Sequence, residues 1–308
     1  MKITRKLKKI TLATLSLALV AVSTFGMMGR ALATSFSISP MNQTVVLNPG
    51  ETYRSTFIIN NPSTNKDDFS YRVVVQPYTV GENNSDVFNE ASQHTLITDW
   101  IKIIAHETGT LAPNSTDEVE FEVDVPYNAP AGGQYASLTV VSENDASSDQ
   151  EGFGISETIA IAHLFYAEIT GETIRQGDIL EANVNSFLLS GNITGTSAIR
   201  NTGNVHSRAK YTLQVFPLFS DEELYTNEEN PETALVLPDK TYYNETSWKN
   251  TPMMGIFKVI YNVEYEGMKA EVSKMVIVCP IWMLFIVIFV IAAIIIWLVS
   301  KAIRRNKR

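Results

Sequence analysis

Residues 119–125 alternate strictly. Val119, Phe121, Val123 and Val125 are apolar, and Glu120, Glu122 and Asp124 between them are acidic. Period two puts the apolar chains on one face of a strand and the carboxylates on the other. That predicts a half-buried antiparallel strand with one wet face. A weaker form of the same texture fills residues 34–278. Apolar runs at 53–60, 69–76, 96–105, 134–142, 155–169, 192–200, 207–216, 255–265 and 269–278 are separated by turn signals. Among these signals are Asn48-Pro49-Gly50, Asn61-Pro62, Gly132-Gly133, Asn201-Thr202-Gly203 and Glu266-Gly267. Residues 81–93 read as a long polar loop and 143–150 as an acidic hairpin loop. No segment before Ile281 sustains a 3.6-residue apolar period. Many short strands with Gly, Pro and Asn turns predict an all-β sandwich.

The grammar repeats. The first half reads strand 56–60, Asn61-Pro62, strand 69–76, Pro77; the second reads strand 192–200, Asn201, strand 207–216, Pro217. This predicts two tandem Ig-like β-sandwiches, 34–168 and 169–278, with one topology used twice.

The two ends follow different rules. Residues 281–299 read IWMLFIVIFVIAAIIIWLV, without a charge. As a helix this stretch is roughly 28 Å long, close to the ~30 Å hydrocarbon core of a bilayer. Trp282 and Trp297 fall about 22 Å apart along its axis, where indoles prefer the headgroup level. Lys301, Arg304, Arg305, Lys307 and Arg308 follow. The expectation is a transmembrane helix at 279–300 and a basic cytoplasmic tail at 301–308, with the preceding sandwiches extracellular. A buried core helix is the alternative, but this length without a polar face is hard to bury in a small domain. At the other end, Lys2, Arg5, Lys6, Lys8 and Lys9 precede an apolar run and Ala31-Leu32-Ala33. This reads as a signal peptide, 1–33, cleaved after the small residues Ala31 and Ala33. An uncleaved N-terminal anchor is the competing reading.

Charge sharpens this division. Six of the 24 basic residues lie in the first 33 positions and five in the last eight, whereas all 33 acidic residues lie between. The intervening part therefore holds 13 basic residues and a net charge of −20. That disfavours nucleic acid, whose backbone needs clustered Lys and Arg. Such a charge serves solubility first, and leaves a cationic partner as the other option. One cysteine, Cys279, excludes intrachain disulfides and Cys-based metal clusters. Each sandwich must then be held by its own core.

Nothing in the sequence assembles a catalytic constellation. His94, His106, His163 and His206 form no H-x-x-x-H or H-E-x-x-H pair, and no G-x-S-x-G or phosphate-loop motif occurs. Cys279 has no histidine within seventy positions; it reads as an inert interfacial residue, with acylation as the alternative. The row Glu120, Glu122, Asp124 reads as a solvated face rather than a cation site. Trp100 and Trp248 read as core residues ahead of partner anchors. The chain is therefore expected not to be an enzyme and to need no cofactor or metal.

Several stretches resemble the Ig-like domain of bacterial WxL-interacting proteins. They are Asn48-Pro49-Gly50-Glu51 before a strand ending in Asn60-Asn61, then Asp99-Trp100-Ile101, then Val125-Pro126 followed by 129–135, APAGGQY. The order of signal peptide, two Ig-like domains, one span and a short basic tail is also similar. The resemblance implies a Gram-positive surface protein whose first domain contacts peptidoglycan and whose second contacts host or partner proteins. It covers the architecture of the whole chain but motifs in only about a third of it. No binding residue is carried over.

The expected work is non-covalent: a cell-surface scaffold whose partners are the lipid bilayer and peptidoglycan or other surface proteins. The alternative is a membrane-tethered, chaperone-like assembly factor that holds exported chains by β-strand addition. A long exposed edge strand in the first sandwich would favour that alternative, and a capped edge would count against it.

Overall fold

The computed structural model describes residues 36–65, 67–143 and 159–306. The expected signal peptide, with Ala31 and Ala33, and most of the acidic loop at 143–150 lie outside these residues.

The first half of the chain contributes β1 (Ser37–Ser39), β2 (Asn42–Leu47), β3 (Thr52–Asn61), β4 (Phe69–Val80), β5 (Asp86–Phe88), β6 (Ile101–Ala105), β7 (Thr108–Leu111), β8 (Ser115–Asp124), β9 (Gly132–Ser142) and β10 (Ala160–Ile169). One sheet runs β1-β3-β8-β6; the other runs β2-β10-β9-β4-β5, with β7 also on β4. The second half contributes β11 (Gly177–Val184), β12 (Phe187–Leu188), β13 (Ile193–Asn201), β14 (Ser207–Pro217), β15 (Tyr225–Thr226), β16 (Glu232–Val236), β17 (Thr241–Trp248), β18 (Gly255–Tyr265) and β19 (Met268–Val278). Its sheets run β11-β13-β17 and β12-β19-β18-β14-β15, with β16 also on β14. The all-β expectation holds. A single helix, α1 (Ile281–Asn306), ends the described chain.

The repeat seen in the sequence is a repeat of topology. In each half the first strand pairs antiparallel in one sheet, β1 with β3 and β11 with β13. The chain then switches sheets, and the next strand pairs parallel with the last one, β2 with β10 and β12 with β19. β6 is the one strand of the first half without a counterpart in this scheme. The turn residues are also equivalent. Asn61 and Asn201 close matching strands and are fully buried.

Alternation explains the strands. Phe57 and Ile59 of β3 and Val119, Phe121 and Val123 of β8 face Val73, Leu138 and Phe165 from the opposite sheet, all in one core. Phe121 and Phe165 meet edge to face at 5.4 Å. A second core holds Ile193 and Ile199 against Tyr211, Leu213, Val259 and Tyr261. Each such side chain contributes about 1.5–3 kcal/mol by leaving water. Trp248 belongs to this core, stacked on Tyr225 at 5.8 Å and edge-on to Phe257. Trp100 packs against the first core. The β18–β19 hairpin turns on Glu266 and Gly267, with φ of 45° and 77°. Positive φ at both central residues matches the right-handed twist of the flanking strands.

Two segments depart from the expected pattern. The loop expected at 81–93 contains a 3-10 turn at Glu82–Asn84 and the short strand β5. Residues 96–99 form a 3-10 turn before β6, because only Ile97 reaches the core there. β7 was not legible. It is short and lies between His106 and Asn114, whose φ values of 60° and 61° break the strand pattern on either side.

Candidate functional site

The outer faces of the first sandwich are opposites. On the β3-β8-β6 sheet, the acidic row of β8 meets cations from its neighbours. Arg54 Nε donates to Glu122 at 2.6 Å, and Lys102 Nζ to Asp124 at 2.9 Å. Asp124 is held below its usual range by hydrogen bonds from Lys102 and Thr52. These carboxylates are a solvated, ion-paired face. Among the described residues no group of three or more His, Cys, Asp or Glu could hold a metal ion.

The other sheet turns an uncharged face outward. Cross-strand register places Val74, Thr139 and Ala162 in one row and Gln76, Ser137 and Leu164 in the next. Among the described residues charge occurs only at the ends of this face, and at its centre Ser137 and Thr139 are buried. Arg72 pairs with Glu143 at 2.9 Å at one end, and Glu168 pairs with Arg175 at 2.5 Å at the other. Ser137 and Thr139 bond each other at 3.2 Å, so the central hydroxyls are satisfied. A partner that covers this band desolvates no free charge.

One end of the face is closed by the second half of the chain. Tyr78, Tyr135 and Tyr166 project from β4, β9 and β10 and pack with Leu235 and Leu237. His206 lies edge-on to Tyr135 with ring centroids 5.7 Å apart, and its Nδ1 is 3.3 Å from the Tyr135 hydroxyl. Burial pushes the His206 imidazole down to about 4, against the pull of Glu168. Burial likewise raises Tyr135, Tyr78 and Tyr166.

Polar contacts lock the same junction. Gly133 N donates to Asn204 O at 2.7 Å, and Arg175 donates to His206 O at 3.0 Å. Gly132 sits at φ +118°, and a Cβ there would stand 2.4 Å from Asn204 O. Asn84 spans to β17: its Oδ1 accepts from Tyr243 N at 2.9 Å, and its Nδ2 donates to Tyr243 O at 2.5 Å. One side chain thus occupies the open edge of β17.

Beside this junction is a cleft of about 190 Å³, lined by residues that include Thr79, Gln93, His94, Tyr135, Leu237 and Asp239. His94 Nδ1 lies 2.9 Å from Gly133 O, and its Nε2 is 3.7 Å from Asp239. The imidazole is engaged in holding the backbone, and the cleft presents no paired nucleophile and base. The other histidines are also structural. His106 Nδ1 meets Asp117 at 2.6 Å. His163 is fully buried, stacked on Phe57 at 4.9 Å, with Nδ1 on Pro40 O at 2.8 Å.

Edges decide where a chain could be added. β2 covers β10 from Leu164 to Ile169. Among the described residues nothing pairs with 160–163 on that side, which borders the uncharged face. On β3, the side chain of Gln43 bridges the open stretch by bonding Ser55 at 2.9 Å and the Tyr53 hydroxyl at 2.7 Å. On β19, β12 covers only Ile277 and Val278. The rest of that edge carries Lys274 pointed inward, its Nζ bonded to Asn183 and Val184 O. An inward lysine blunts an edge strand.

Of the residues singled out in the sequence, Trp282 and Trp297 are half exposed near the two ends of the apolar part of α1. Lys301 Nζ stands 4.9 Å over the Trp297 ring. Arg304 and Arg305 lie in the last turns of the helix. The stretch Ile281–Lys301 is long and apolar enough to cross a membrane, with a mean hydropathy of 3.2. The junction residues Tyr78, Tyr135, Tyr166, Asn204 and His206 were not legible beforehand, because three strands and one turn bring them together.

No protein-family profile and no curated protein matches this chain. Among solved structures, the class 5 fimbriae chaperone CfaA is similar at 13% identity and a TM-score of 0.37, over 80% of this chain and 100% of its own. The E. coli chaperone DraB is similar at 11% identity and 0.36, over 79% and 97%. The PapD-like domain 7 of human CEP192 is similar at 13% and 0.31, over 47% and 91%.

Proposed function

We propose that this chain is a non-catalytic, membrane-anchored surface protein that holds other exported polypeptides through its first sandwich domain. The uncharged outer face of the β10-β9-β4 sheet, continuous with backbone at 160–163 that no described residue pairs on its outer side, carries this reading. An extended polypeptide could take up those backbone groups and lay alternate side chains beside Ala162 and Leu164 of β10. β2 caps the remainder of β10, which counts against addition of a long strand, so the added segment would be short and the contact reversible.

Anchorage rests on α1. Its apolar stretch has the length of a bilayer core, its tryptophans sit near both ends, and Lys301, Arg304 and Arg305 follow, which favours a cytoplasmic tail. The order of two sandwiches, one apolar helix and a short basic tail is similar to that of the WxL-interacting proteins, which the turn motifs also resemble. Binding of wall polymer is the second reading; Trp248 is buried in the second core, and Trp100 packs, partly exposed, against the first.

The test is site-specific photocrosslinking in the full-length chain, with p-benzoylphenylalanine at Ala162 in intact cells. The expected result is covalent capture of polypeptides, abolished by Leu164→Asp but not by Glu120→Gln on the opposite face. Retention on purified wall with no crosslinked polypeptide would overturn the reading in favour of polymer binding.

A further inference from the structure

The second sandwich is apolar at the end from which the helix departs. The termini of four adjacent strands lie side by side there. Phe187 of β12 is level with Ile277 of β19, and Ile277 with Ile256 of β18. Leu218, just past β14, bonds Ile256 O at 3.1 Å. All three of Phe187, Ile277 and Ile256 are exposed, forming a line on the outer face of the sheet. The neighbouring loops add Phe219, 95% exposed, and Met253, 74% exposed. Single exposed apolar residues are ordinary, whereas a contiguous group marks a contact surface.

What covers it follows from the chain. Only Cys279 and Pro280 separate β19 from α1. Cys279 N is bonded to Leu188 O at 2.8 Å, and the first helical turn is bonded to Pro280 O through Met283 N at 2.9 Å. No slack exists between sheet and helix. If α1 fills the hydrocarbon from Ile281, the strand ends stand at most about 10 Å above it, at the level of the headgroups. Lys258 lies one pleat farther from the helix, opposite Met275, where an ammonium meets lipid phosphate. Asp221, Glu222 and Glu223 follow Phe219 in sequence and limit the depth to the interface. The first sandwich plays no part, since its contacts are at the other end of β14, roughly 33 Å away along the strand.

We infer that this pole of the second sandwich is a lipid-docking surface, with Phe219 and Met253 seated among the headgroups of the bilayer that α1 crosses. The inference rests on the reading of α1 as a membrane span. It makes the second sandwich a fixed pedestal rather than a freely tumbling module.

The test uses the full chain reconstituted in phosphatidylcholine–phosphatidylglycerol vesicles. In a Cys279→Ser background, a polarity-sensitive fluorophore is attached at Phe219→Cys, Met253→Cys, Ile291→Cys or Tyr127→Cys. The expectation is several-fold weaker quenching by aqueous iodide at 219 and 253 than at the exposed control 127, with quenching by shallow doxyl lipids. Position 291 should respond only to deep doxyl lipids. Iodide quenching at 219 and 253 equal to that at 127, with 291 protected, would overturn the lipid surface and leave the span standing. Iodide access at 291 would overturn both. Because Cys279 is buried, a photoreactive residue at Phe219 in the unaltered background gives an independent readout: crosslinking to lipid supports the surface, and its absence contradicts it.

Discussion

Asn61 and Asn201 make the same bond in the two halves of the chain: Asn61 Nδ2 donates to Leu111 O at 2.8 Å and Asn201 Nδ2 to Val236 O at 2.9 Å. Leu111 ends β7 and Val236 ends β16, the equivalent strands of the two sandwiches. Each asparagine ties the end of one sheet's strand to the short strand of the facing sheet. Both make further bonds, but those of Asn201 are buried and to backbone, to Val205 O at 2.9 Å and from Gly203 N at 2.8 Å, whereas Asn61 reaches Asp67 O at 3.4 Å and accepts from the Asn65 side chain. Replacing either by Leu leaves buried backbone groups unpaired, at about 1–3 kcal/mol for each. Thermal melts followed by circular dichroism should show Asn201→Leu to be the more damaging.

The junction between the sandwiches should yield to a single methyl group. Gly132→Ala forces a Cβ against Asn204 O and imposes a φ that L-residues rarely adopt. Limited proteolysis should then cut near 170–176 faster than in the parent chain. Asn84→Ala is the milder companion. It frees both backbone groups of Tyr243, and amide exchange at Tyr243 should accelerate while the global melt changes little.

Acid should loosen the same junction. The folded state holds His206 near 4, against about 6.5 in the unfolded chain, so the unfolded state binds the extra proton between those values. Stability therefore falls as pH drops from about 6.5 and this contribution is fully lost near pH 4. The shift corresponds to up to about 3 kcal/mol. His163, also lowered by burial, acts in the same direction. Denaturation curves from pH 7 to 4 should be steep for the parent and shallower for His206→Gln.

On the charged face, Arg54→Gln and Lys102→Gln should barely move the melting temperature, because both cations are solvent exposed. Any change should shrink further at high salt. Trp248→Ala is the contrast, removing a core indole between Tyr225 and Phe257, at about 3–5 kcal/mol.

Much of this architecture could be read from residues near each other in sequence. Period two in β8, the Asn and Gly-Pro punctuation and the repeated strand–Asn–strand unit are local signals, and local sterics enforce them. The apolar helix is likewise a property of composition. The junction was hidden for the opposite reason. Tyr78, Tyr135, Tyr166 and His206 look like ordinary strand residues, and only the register of β4, β9 and β10 brings the tyrosines to one end of one face. The neutrality of that face was equally hidden, because Val74, Ser137, Thr139 and Ala162 sit on three strands. The pairing of Arg54 and Lys102 with the acidic row needed the order β3-β8-β6, which hydrophobic pattern does not specify.

The direct passage from β19 into α1 has a mechanical side. Tension between a captured partner and the membrane would pull β19 lengthwise, and its ladder with β18 runs from Met268 to Val278. Loaded in that direction, the rungs share the strain together instead of peeling one after another. On the proposed capture and anchorage, the last strand would then act as a shear clamp between the gripped partner and the bilayer.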